Sequence, residues 1–252
     1  VQLDEKWSFV HTKEKRRDPD NPAHARRGDN WDHVAVDAEH RLVLSTVPGK
    51  RSAAHVQELV DDVKRRMGGR VPRLITTDEY APYRQAILNA WGERVVPERT
   101  GKPGRPATKA RLVPPPALSV ATVHKTRSKG RVVDVALVIV FGVASAIAAA
   151  LGGFTINTSR VERQNGTDRN RNSRKVRKTC CFSKDWDVHE AVGYLTLYSY
   201  NFCWPVRTLR AKVDGGGRRR WSDRTPAMSA GLTDHVWTLA EWLSWPAVRH
   251  AV

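Results

Sequence analysis

The sequence predicts a mixed α/β fold, with three antiparallel strands leading into parallel strands and helices packed on both faces of the sheet. Two observations predict it. Extended segments come first as an uninterrupted run (1–10, 31–37 and 41–49), and helical periodicity appears only after them. Each later helix then separates two short apolar stretches, the arrangement of crossover connections in a parallel sheet.

VQLDEKWSFV alternates as a strand, with Leu3, Trp7 and Phe9 on one face and Asp4 on the other. Residues 11–30 are a polar loop rich in turn formers. WDHVAVD and RLVLSTVPG form a hairpin around the Ala38–His40 turn. SAAHVQELVDDVKRRMGG is a helix capped by Ser52, with Val56, Leu59, Val60 and Val63 as its apolar stripe and a glycine pair at its end. PRLITTDEY is a short buried strand ending at Asp78, and APYRQAILNAWG is the next helix.

Residues 98–118 are dense in proline, glycine and basic side chains and predict a flexible loop. ALSVATVHKTR and GRVVDVALVIVFG follow, the second reading as a core strand, and an alanine-rich helix comes after it. SRVERQNGTDRNRNSRK, residues 159–175, is a basic helix. SKDWDVHEAVGYLTLYSYNFCW is another, with His189, Val192, Leu195 and Tyr198 or Ser199 at helical spacing. The main domain is thus expected over 1–205. Residues 206–252 form a basic, glycine-rich linker and a helical tail, whose Trp237, Trp242 and Trp245 pack onto the domain. The chain opens inside a strand and Val1 is not an initiator methionine, so a preceding N-terminal part is expected.

The formal charge is +17, from 43 Lys+Arg against 26 Asp+Glu, and the basic residues thicken at 13–17, 99–111 and 160–178. Such clustering favours nucleic acid as partner through phosphate neutralisation. Three cysteines (Cys180, Cys181 and Cys203) exclude a disulfide framework and point to reduced thiols. A zinc site joining them to His189 matches no common spacing. Residues 135–154 carry no charge and are long enough to cross a bilayer. Their β-branched first half and alanine-rich second half, divided at Gly142, read instead as a strand and a short helix.

Asp4 on the first strand, Asp78 at the end of a later one and Glu162 at a helix start are the candidate chemical groups. Chemistry in open α/β sheets collects at the carboxyl ends of strands. Three converging carboxylates repel one another unless a cation holds them, and oxygen-only ligands select Mg²⁺ or Mn²⁺. Two such ions about 4 Å apart serve in-line phosphoryl displacement. Each acid has a plainer reading: Asp4 as an exposed strand residue, Asp78 as a helix cap, and Glu162 as part of a Ser159-x-x-Glu162 capping box. Spacing alone leaves both open.

The segments LDEKWSFV, LITTDEY, INTSRVERQNGTDR, RKTCCFSKDW, YNFC and TPAMSAGLTDHVW resemble, in order and over nearly the whole chain, the insertion-sequence-one type of DDE transposases. The resemblance implies an RNase H-like catalytic domain acting on double-stranded DNA. It also implies two Mg²⁺ ions (Mn²⁺ substituting) on Asp4, Asp78 and Glu162. Cleavage of element ends, followed by attack of the freed 3′-hydroxyl on target DNA, is then expected of a cytoplasmic homo-oligomer that is nucleoid-associated on DNA. The family's N-terminal zinc-ribbon and helix-turn-helix region has no counterpart here. Arg163, Asn165, Arg169 and Lys175 are expected to contact DNA. So are Lys102 and Arg105 of the Lys102-Pro103-Gly104-Arg105-Pro106 stretch, which is similar to an AT-hook core. Another RNase H-like nuclease (a resolvase or ribonuclease) and a non-catalytic DNA-binding protein are the alternatives.

Overall fold

The structure, a computed structural model, describes residues 1–96, 109–151, 158–213 and 220–245. The period-2 pattern at the start of the chain forms β1 (Gln2–Val10), and the hairpin forms β2 (Gly28–Asp37) and β3 (Leu42–Gly49). Helix α1 (Ala53–Arg66) begins where the Ser52 hydroxyl accepts the His55 N–H, and it buries Val56, Leu59, Val60 and Val63. After it come β4 (Ile75–Thr77), α2 (Pro82–Trp91) and a small hairpin of β5 (Glu93–Val95) with β6 (Arg111–Val113). The chain continues through β7 (Val120–Ser128), β8 (Arg131–Phe141), α3 (Ala144–Leu151), α4 (Ser159–Arg171) and α5 (Trp186–Cys203). Short strands β9 (Ala211–Lys212) and β10 (Trp221–Ser222) and helices α6 (Pro226–Ser229) and α7 (Leu239–Ser244) follow.

Six strands form one sheet in the order β3-β2-β1-β4-β7-β8. β1, β2 and β3 are antiparallel neighbours, while β4 runs parallel to β1 and β7 parallel to β4. That much matches the expected strand order. Helices cover both faces, as the strand parity shows. Leu3 and its partner Ala35 pack with α1 and α2 around Val56, Leu59, Tyr83 and Ile87, whereas Val34, Val36 and Val43 pack with Val161 of α4 and Leu197 and Tyr200 of α5.

Two expectations are corrected. The run RVVDVALVIVF is not a core strand: β8 lies at the sheet edge, antiparallel to β7, with Val133 60% and Val135 53% exposed. The buried parallel strand is its predecessor β7, which buries Val120, Ala121 and Val123. A two-residue turn, Lys129 (φ 48°) and Gly130 (φ 79°), folds β8 back along β7. Positive φ at both central residues is what a tight hairpin requires, and glycine accepts it without strain. In α5 the buried face runs through His189, Gly193, Leu197, Ser199, Tyr200 and Asn201, so His189 and Ser199 of the predicted stripe are buried while Val192 and Leu195 are not. Gly193 is buried because the Lys175 ammonium lies 2.7 Å from where a Cβ would stand.

The C-terminal tryptophans divide. Trp237 packs at a tilt against Phe202 of α5 with ring centroids 4.9 Å apart, and Trp245 leans on Trp237 at 5.0 Å, although Trp245 itself is exposed. Among the described residues, no helix is long and apolar enough to cross a membrane.

Candidate active site

β1 presents two faces, and its polar face is covered. Gln2 Oε1 accepts the backbone N–H groups of Arg160 and Val161, both at 3.0 Å, and so satisfies first-turn donors of α4. Asp4 Oδ2 accepts from Asn165 Nδ2 at 2.8 Å. Lys6 pairs with Asp168, and Ser8 meets His189 of α5 at 3.4 Å. Every second residue of β1 thus holds α4 or α5 through a polar contact. This seam fixes where Asp4 sits relative to α4.

The other carboxylates arrive from β4 and from the next position of β1. β4 meets β1 at Thr76↔Gln2 and ends at Thr77, so Asp78 leaves the sheet beside the uncovered edge of β1 near Asp4 and Glu5. Carboxylate oxygens of Asp4, Glu5 and Asp78 all lie within 4.8 Å of one another. Among the described residues this is the only group of three or more potential metal ligands so gathered. The cysteines and His189 form no such group. Cys180 and Cys181 are exposed, and His189 is held by Ser183 at 2.7 Å and Asn30 at 3.0 Å.

Glu162 stands at the first turn of α4, with its side chain 48% exposed. Its Oε1 accepts from the Thr158 hydroxyl at 2.7 Å and pairs with Lys125 of β7. The cap position of α4 falls on Thr158, while Ser159 is already the first helical residue. Asp78 Oδ1 accepts the Tyr80 N–H at 3.1 Å, a local turn ahead of α2 whose cap position is Ala81. Asp4 is not an exposed strand residue but half-buried.

Electrostatics tie these groups together. Burial, then the Asp78 charge and further the Glu162 charge, push the Asp4 carboxyl up to about 6, against the Glu5 backbone N–H and Asn165 bonds. Burial and Asp78 likewise lift Glu5 to about 7, with a hydrogen bond from the Tyr83 hydroxyl and then Arg51 opposing. Burial raises Asp78 while the Tyr80 N–H, Arg51 and Lys125 pull it down. A positive charge brought among these acids would be strongly favoured.

Arg51 and Lys125 are the cations that the sequence did not single out. Arg51 Nη2 lies 3.2 Å from Glu5 Oε2, and its guanidinium sits 4.1 Å over the Tyr80 ring and 5.0 Å over Trp31. Only the pairing of β3 with β2, which in turn pairs with β1, brings it there, so no local signal marks it.

The predicted DNA contacts separate. Arg163 is exposed and Arg169 half-buried beside Asp4. Asn165 is 3% exposed and is engaged with Asp4 rather than presented to a substrate. Lys175 is 2% exposed and bonds Asp32 at 2.7 Å, inside a neutral quartet with Lys6 and Asp168. Burial favours the neutral form of Asp32, but the Lys175 and Lys6 charges outweigh it and hold the carboxyl well below its usual range. Lys175 therefore faces the interior, out of reach of a phosphate. Lys102 and Arg105 lie outside the described residues.

Compared with known proteins, the chain matches no family model, no curated protein and no solved structure.

Proposed function

We propose that this chain is the catalytic domain of a DDE-type transposase with an RNase H-like sheet, acting on double-stranded DNA as a homo-oligomer. Its reaction is hydrolysis of a phosphodiester at an element end, then attack of the freed 3′-hydroxyl on a target phosphodiester. The observation that carries the reading is the meeting of Asp4 and Asp78 where β4 ends beside β1, with Glu162 near enough to raise the Asp4 carboxyl. The donor set is all oxygen and suits Mg²⁺ or Mn²⁺. Bound at Asp4, Asp78 and Glu162, a pair of divalent ions would activate the attacking oxygen and stabilise the leaving one.

The chain's own residues supply the rest. Asn165 fixes the orientation of Asp4, and Lys125 holds Glu162 beside Thr158. Arg163 and Arg169 of α4 and the ring-backed Arg51 are the cations that would meet the DNA backbone. The test supplies a duplex with a free 3′-hydroxyl, a supercoiled target plasmid and Mg²⁺. Covalently joined products support the reading. Nicks without joining point to another RNase H-like nuclease.

One observation favours a non-catalytic DNA-binding protein: Glu162 is already paired with a lysine. On that reading Glu162→Ala changes no activity. On the transposase reading it abolishes cleavage while DNA affinity is kept or increased, because a negative charge has gone.

A further inference from the structure

We infer that the half-buried rings of Trp7, Trp31, Phe9 and Phe182 form a stacking wall for the bases of an unpaired DNA strand, running along β1 away from the carboxylates. The inference rests on the proposed reading only for the strand being DNA. β1 and β2 pair in unbroken register, so Leu3 with Ala35, Glu5 with His33, and Trp7 with Trp31 are successive rows on one face of the sheet. Helix α1 starts at Ala53, and its first-turn His55 stacks on His33 at 6.0 Å. The next row lacks such cover. Trp7, Trp31 and Phe9 belong to neither apolar core of the described residues, and all three are half-buried. Trp7 stands about 7 Å along β1 from Glu5, and Phe9 about 14 Å.

The wall continues past the level at which β4 stops. Ser183 bridges Val10 in parallel, its carbonyl accepts the His11 N–H at 2.7 Å, and its hydroxyl is fixed by His189 at 2.7 Å. That anchoring sets Phe182 against Phe9 with ring centroids 4.9 Å apart, while Trp7 and Phe9 are 5.8 Å apart. A row of half-open rings keeps apolar area that folding has not taken out of water, which marks a binding surface.

Charge decides what covers it. Arg51 lies 5.0 Å over Trp31, Lys13 5.9 Å over Phe9 and Lys184 3.2 Å over Phe182, and all three cations are exposed. Lys15 and Arg16 follow on the turn that leaves β1, and Glu14 in that turn is neutralised by Arg17 and Lys50. An apolar protein surface would bury these charges without partners, which is costly. An unpaired strand offers a phosphate to each cation and a base to each ring. An exposed ammonium on a ring face is held more weakly than a stacked base, so Lys13 and Lys184 swing to phosphates and free the rings. Duplex DNA keeps its bases inside the stack and takes the cations without the rings.

Fluorescence anisotropy of a short labelled oligothymidine and of a duplex of the same length, without metal, compares the wild type, Trp7→Leu and Phe182→Ala. Both variants are expected to bind oligothymidine about tenfold more weakly, the scale of one lost stacked base, and the duplex within about twofold of wild type. The salt dependence of oligothymidine binding should be unchanged, since a ring releases no counterion. Equal loss for oligothymidine and duplex overturns the inference, and so does no loss for either. Far-UV circular dichroism checks that each variant folds. Should the variants fail to fold, photocrosslinking of the wild type to an oligonucleotide carrying 5-iodouracil decides. Adducts on Trp7, Phe9, Trp31 or Phe182 support the wall, and adducts confined to other residues overturn it. None of these readouts needs cleavage. A chain whose variants lose only single-strand affinity, yet which never cuts DNA, contradicts the transposase reading and leaves this inference standing.

Discussion

Asn165 Nδ2 donates to Asp4 Oδ2 at 2.8 Å, and through that bond helix α4 sets the direction in which the Asp4 carboxylate points. The bond favours the ionised acid in a site where burial, Asp78 and Glu162 all oppose ionisation. Asn165→Ala is therefore expected to raise the Asp4 carboxyl above its present value of about 6. In the metal-free protein the Asp4 titration, followed by NMR, should move to higher pH, and Mg²⁺-dependent cleavage should fall about tenfold. A loss of rate with an unmoved titration would mean that Asn165 serves packing alone.

Lys175 was expected on the DNA and is instead part of the buried quartet with Asp32, Lys6 and Asp168. Lys175→Met leaves Asp32 short of one partner in the interior, at a cost of about 3 kcal/mol or more. Urea unfolding measures this. DNA affinity of the folded variant, and its dependence on salt, should stay unchanged, whereas a direct phosphate contact would lower the salt slope by about one.

The Glu5 carboxyl, raised by burial and Asp78 from 4.5 to about 7, favours the fold in its protonated form. Its stabilising contribution is complete below about pH 4.5 and is lost as pH rises through 7. His33 and His189, each lowered by burial from 6.5 to about 4, act in the opposite sense, losing stability as pH falls from 6.5 towards 4. The wild-type curve mixes both trends, so the comparison with Glu5→Gln isolates the acid. Without divalent ions, the variant's stability relative to wild type should improve by roughly 2 kcal/mol between pH 4.5 and pH 8. Urea titrations at the two pH values check it, and a constant difference would contradict it.

β8 offers an apolar free edge, the kind of strand that pairs with other chains. Val133→Lys with Val135→Lys should reduce light scattering of concentrated protein while changing stability by no more than about 1 kcal/mol. A large loss of stability would return β8 to the core.

What the sequence displays well is the apolar pattern of single elements. Ser52 and the Val56–Val63 stripe specify α1 completely, because one face meets one core and the cap is local. β8 misled for a physical reason: an unbroken apolar run states affinity for a covered position but not which strand obtains it, and β4 and β7 took the inner places. The polar face of β1 shows the converse limit. Gln2, Asp4, Lys6 and Ser8 look like a solvent face, and only the matching polar positions on α4 and α5 make it an interior seam. Asp4 and Asp78 were singled out by strand position and the family resemblance, spacing alone leaving their plainer readings open, and the parallel pairing of β4 with β1 brings them together. Glu5, Arg51 and Lys125 were not, since their roles depend on where β4 ends and how β3 and β7 align.

Whether Asp78 and Glu162 serve metal-dependent cleavage is decided by Mg²⁺-dependent nicking of supercoiled plasmid by the wild type, Asp78→Asn and Glu162→Gln. A transposase of this kind gives nicks with 3′-hydroxyl ends that vanish with chelator and fall by at least about 100-fold in both variants. Undiminished nicking by the variants, or plasmid binding with no nicking by the wild type, would contradict that role.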